Sequence, residues 1–98
     1  MLFALICTDR PGHLEQRLAT RANHLAYLEA QAGKLFTAGA LLDSDGRPAG
    51  SLLVIDVAGR EAAEGFAAAD PYAKAGLFES TQIRPFRPVF KDGQKVGA

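Results

Sequence analysis

The run LFALICT, from Leu2 to Thr8, is apolar on both parities, and SLLVIDV, from Ser51 to Val57, repeats the pattern. A strand with apolar side chains on both faces has to be covered on both faces. Between these runs the hydrophobic period changes. From His13 to Ala32, Leu14, Leu18, Leu25, Leu28 and Ala32 recur at three- and four-residue spacing, which predicts an amphipathic helix ended by Gly33. KLFTAGALL, from Lys34 to Leu42, reads as a strand, and the polar turn cluster DSDGRPAG joins it to SLLVIDV as a hairpin. GREAAEGFAAA, from Gly59 to Ala69, reads as a second helix with Phe66 as its largest apolar anchor. STQIRPFRPVF closes the pattern as a strand. Pro85 and Pro88 cannot donate to a ladder, so this strand belongs at a sheet edge or carries a bulge.

The resulting order is β-α-β-β-α-β, an α+β fold of the ferredoxin-like type, with two helices on one face of a four-stranded antiparallel sheet. No helix remains for the other face. A homodimer through that sheet face is the economical cover. The domain is expected to span residues 1–91, with a loose polar tail over 92–98.

Composition narrows the function classes. The chain has 98 residues, is 48% apolar and 22% charged, and carries no formal net charge, so it has core material for one domain. It offers no clustered basic footprint for nucleic acid or an anionic membrane surface. No apolar run approaches a membrane span, and the N-terminus has no signal-peptide pattern. The single Cys7 has no partner for an internal disulfide and sits in an apolar run, as a buried thiol would. The expectation is a cytoplasmic protein without a cofactor. Two histidines and one cysteine do not make a zinc pattern, and no phosphate-binding glycine loop is present.

The candidate chemistry centres on two segments. On the first helix Arg17, Arg21, His24 and Leu28 form one row, and Arg21 falls inside the leucine stripe. Either its guanidinium snorkels to water past the helix edge, or it faces a polar cleft together with His24. The second segment is ADPYAKAGLFES, from Ala69 to Ser80. Asp70 suits an N-cap, Pro71 the first helical position and Gly76 the exit. The β-α-β-β-α-β order also brings Asp70 near the N-terminal half of the first helix. It is therefore either a cap alone or also the partner of His24. His13, Tyr72 and Glu79 are weaker candidates, and Gly39 and Gly50 suit close backbone approach beside a pocket.

RANHLAYL, GKLFTAGALL, GSLLVIDV, ADPYAKAGLFES and IRPFRPVF occur here in the order of the YciI-like (YCII domain) family, which the chain resembles from Leu2 to about Lys91. The family is similar to the dimeric α+β barrel proteins, whose subunits pair through their sheets. The resemblance implies an active-site cleft with a His-Asp pair, here His24 and Asp70. Arg21, Ser51 and Tyr72 match other recurring positions beside it. The reading that follows is a small cofactor-free enzyme. His24 and Asp70 would do acid/base chemistry, isomerisation or elimination, on a small organic, ring-derived substrate held by Arg21, Ser51 and Tyr72. The alternative is a non-catalytic dimer that binds a small metabolite or serves as an accessory subunit.

Overall fold

The computed structural model describes residues 1–97. β1 (Leu2–Asp9) leads into α1 (Leu14–Ala30), and a single 3-10 turn (Ala32–Lys34) feeds β2 (Leu35–Leu42). After the hairpin come β3 (Pro48–Asp56), α2 (Arg60–Ala69), the one-turn α3 (Pro71–Lys74) and β4 (Phe78–Pro85). The sheet order is β2-β3-β1-β4, antiparallel throughout, so the fold is ferredoxin-like α+β.

Alternation along β1 and β3 decides which side chains meet the helices. Cross-strand partners share a face. Phe3, Leu5 and Cys7 stand opposite Ile55, Leu53 and Ser51, and all six are buried. Leu28 of α1 and Ala63 and Phe66 of α2 complete the core against them. The outer face carries Leu2, Ala4 and Ile6 of β1, all half-buried, with Val54 buried and Leu52 exposed beside them. On β4 that face turns polar, with exposed Ser80, Gln82 and Arg84.

The hairpin turn is closed by Asp43. Its Oδ1 accepts from the backbone N–H of Asp45 and Arg47, and Gly46 takes a left-handed φ of 80°. This closure lets β3 begin at Pro48, three residues before the apolar run. β4 lies at the sheet edge, the first of the two places its proline allows, and it ends at Pro85, short of the Pro88–Phe90 stretch that the sequence pattern includes. The chain then forms a small ribbon, β5 (Phe90–Lys91) and β6 (Gln94–Lys95), where a loose tail is expected from residue 92. Lys91 Nζ reaches 4.9 Å from the centre of the Phe36 ring on β2.

One element is rotated from its sequence expectation. The leucine spacing on α1 predicts a buried stripe through Leu14, Leu18 and Leu25. Instead Leu18 is 56% exposed, and the buried residues of the helix are Arg17, His24 and Leu28. The physical reason is that the sheet end facing α1 is polar. Asp9 continues the inward alternation of β1 after Phe3, Leu5 and Cys7, and it draws Arg17 rather than a leucine against the sheet.

Candidate active site

Four elements converge on one cleft. α1 supplies Arg17, Arg21 and His24, β3 supplies Ser51, α3 supplies Tyr72, and the edge strand β2 closes the side with Ala38, Gly39 and Ala40. The cavity measures about 220 Å³. An apolar cavity of about 150 Å³ accommodates benzene, so this one fits a single ring with a few substituents.

Asp70 orients His24. Nδ1–H of His24 donates to Asp70 Oδ1 at 2.8 Å, and the backbone N–H of Tyr72 donates to the same oxygen at 3.0 Å. Asp70 is therefore both the cap of α3 and the partner of His24, and a single oxygen does both. The second oxygen, Oδ2, takes part in neither bond. The shared oxygen arises because the cap places the carboxylate directly under α1. A carboxylate accepts and does not donate, which puts the proton on Nδ1 and leaves the neutral ring's lone pair on Nε2. Nε2 makes no hydrogen bond with any described residue. Both side chains are largely buried, at 10% and 4% exposure.

Tyr72 packs against both His24 and Arg17. Its ring stacks on His24 with centroids 4.1 Å apart and planes inclined by 20°, and Arg17 Cζ lies 4.4 Å from the same centroid. The Tyr72 ring is thus held by two side chains of α1 at once. Burial pushes the Tyr72 hydroxyl pKa up. The nearby Arg17 and Arg21 pull it down, while Asp70 and Asp9 add to the rise. The phenol stays neutral at physiological pH and keeps its proton to donate.

Arg17 is fixed by a buried fork. Its Nε donates to Asp9 Oδ2 at 2.6 Å, and its Nη2 donates to Asp9 Oδ1 at 3.1 Å and to Ser51 Oγ at 2.7 Å. A buried charge that meets its counter-charge is tolerated, whereas breaking such a pair costs about 3–5 kcal/mol. Asp9 is absent from the sequence reading of the site, and Arg17 enters it only as a member of the helical row, with no role. The available signal was parity: Asp9 holds an inward position on β1, and Arg17 starts the row that contains His24.

The remaining candidates separate clearly. Ser51 and Tyr72 line the cleft with His24, but Ser51 is engaged by Arg17. Arg21 is exposed at the lip of the cleft and makes no hydrogen bond with a described residue. Arg21 has no carboxylate partner among the described residues, and Asp70 is engaged by His24. His13 and Glu79 line a larger cleft of about 400 Å³ at the β1–α1 loop, together with Asp43 and Arg47. There Nδ1–H of His13 donates to the Pro11 carbonyl at 2.8 Å. That cleft is bigger, but it lacks the converging His, Tyr and Arg groups of the smaller one. Gly39 borders the smaller cleft with open space around it, while Gly50 packs against the Cys7 carbonyl. Burial pushes the Cys7 thiol up to about 11, despite opposing contributions from Thr81 and Arg17, so it is not a nucleophile here. Among the described residues no cluster of metal-ligating side chains is present, and no helix is long and apolar enough to cross a membrane.

Residues 1–87 match the YCII-related domain family. The chain belongs to this family. Protein YciI of Escherichia coli and of Shigella flexneri are each 38% identical to it over 98 residues, which is 92% of this chain and 100% of theirs. Among solved structures, the 5-chloro-2-hydroxyhydroquinone dehydrochlorinase TftG of Burkholderia phenoliruptrix, in complex with 2,5-dihydroxybenzoquinone, is 35% identical with a TM-score of 0.84. That likeness covers 89% of this chain and 94% of TftG. A NIPSNAP family protein of Agrobacterium tumefaciens shares the fold alone, with a TM-score of 0.55 at 20% identity over 95% of this chain and 94% of its own.

Proposed function

We propose that this YCII-family protein is an enzyme that moves a proton on a small, hydroxylated ring substrate, leading to isomerisation or elimination. The carrying observation is the 2.8 Å bond from His24 Nδ1 to Asp70 Oδ1, which leaves Nε2 as a base beside a ring-sized cavity. In the reaction, Nε2 takes a proton from an acidic ring O–H or C–H. The released electron pair moves into the ring system. Either the proton returns at another ring atom, or a leaving group departs with its bonding pair and the imidazolium passes its proton to water. Both routes balance without an external oxidant or reductant. Asp70 keeps the ring oriented and supports the imidazolium that forms. Tyr72 and Ser51 shape the ring pocket, and Arg21 at the lip attracts an anionic substrate.

The likeness to TftG supports a ring-derived substrate. The half-apolar outer sheet face supports a homodimer through that face as part of the same proposal. A single buried thiol suits a reducing compartment, so the proposed location is the cytoplasm. The test is a panel of hydroxylated and halogenated rings, followed by thermal shift and by turnover. Rings that stabilise the fold and are converted support the enzyme. Rings that bind without conversion make the protein a binding module, and a panel in which no ring binds contradicts the proposal.

A further inference from the structure

Three nitrogens of Arg17 have unequal fates. Nε and Nη2 are held by Asp9 and Ser51, while Nη1 makes no hydrogen bond with any described residue. Arg17 is only 4% exposed, yet no described buried side-chain nitrogen or oxygen lacks a partner. Nη1 therefore reaches open space, and the cleft that Arg17 borders is the one containing His24. A guanidinium cannot deprotonate, so Nη1 presents two N–H donors there at every physiological pH. The fork to Asp9 prevents it from swinging away, which a lone exposed arginine such as Arg21 would do.

We infer that Arg17, fixed by Asp9 and Ser51, is a substrate-binding residue whose Nη1 receives an ionised ring oxygen inside the cleft. This rests on the ring-substrate reading above and deepens it, by requiring an oxyanion on the ring. The same arrangement makes Asp9 a positioning residue, because it touches no substrate and acts by holding the guanidinium. A donor held in place before the ligand arrives needs no reorganisation when negative charge meets it. Charge-assisted bonds of this kind are short and strong, and a neutral oxygen at the same place forfeits most of that gain.

The probe is 2,5-dihydroxybenzoquinone, whose hydroxyls are acidic, against 2,5-dimethoxybenzoquinone, which cannot ionise. Affinity for each is measured by titration calorimetry at neutral pH. The wild type is expected to prefer the ionisable quinone by about 10- to 100-fold. Arg17→Lys keeps a cation for Asp9 but has no fork and no spare planar donor, so the preference should collapse to within a few-fold. Asp9→Asn should reduce it partially, and the surface change Arg60→Gln should leave it intact. Melting curves confirm that each variant is folded. If Arg17→Met proves unstable because it strands Asp9, Arg17→Lys still gives the answer. An undiminished preference in folded Arg17→Lys, or no preference in the wild type, overturns the inference. Anion-selective binding without turnover of any ring leaves this inference standing and removes the proposed enzyme. Turnover that is insensitive to Arg17→Lys, with no anion preference, does the reverse.

Discussion

One oxygen of Asp70 holds two donors, the ring of His24 and the first turn of α3. Replacing Asp70 therefore acts on stability and chemistry together, and the choice of substitute separates them. Asp70→Asn keeps an acceptor for both N–H groups and removes the charge. It is expected to change stability by under about 1 kcal/mol while lowering turnover by about 100-fold or more. Asp70→Ala loses the cap and leaves buried donors unpaired, so chemical denaturation should show a loss of about 2–3 kcal/mol. Equal turnover in wild type and Asp70→Asn would separate the carboxylate from the chemistry. Asp70 and His24 were legible because each obeys a local rule, the Asp-Pro cap and the helical row. Asp9 and Arg17 were not, because buried arginine is rare and its counter-charge lies eight residues away on another element.

At the scale of elements, α1 shows where hydrophobic periodicity misleads. Four leucines define a stripe, but an ion pair beneath the helix rotates it and leaves Leu18 exposed. The central strands keep the facing that their pattern predicts, although β3 starts early and β4 stops early, because alternation against neighbours fixes register and a one-residue slip would invert every face. Gly50 shows how tight that register is. A Cβ there would collide with the carbonyl oxygen of Cys7 on the paired strand β1. Gly50→Ala is expected to destabilise by about 1–3 kcal/mol, whereas Gly39→Ala, with open space around it, should stay within about 1 kcal/mol on the same denaturation curve. Cys7 adds a pH dependence to the same pair of strands. Burial raises its thiol pKa from 9.0 to about 11, so below pH 9 the thiol is neutral in both folded and unfolded chains. Between these values the unfolded chain ionises first, and stability falls as pH rises, by at most about 1.4 kcal/mol per pH unit from this group. Cys7→Val should lose less stability than wild type between pH 9 and 11, since the tyrosines are common to both.

The whole molecule is a sheet with one face covered by helices and the other left half-apolar. Leu52 stands at 36% exposure on that second face, opposite Ile6 and Gly39. If a second copy covers it, Leu52→Glu should convert a dimer into a folded monomer in sedimentation, and a wild type already monomeric at micromolar concentration would remove that cover. The element order and the outer face follow from short-range pattern, which is why the sequence revealed them. The cleft required three-dimensional placement of side chains from α1, β3 and α3, which no local pattern encodes. His24 carries the proposed chemistry. The direct measurement is turnover of a ring substrate from the panel by His24→Gln, alongside its affinity for 2,5-dihydroxybenzoquinone. Loss of the base predicts a fall in kcat of about 10²- to 10⁴-fold with affinity held within a few-fold. Undiminished turnover by folded His24→Gln would contradict the central claim.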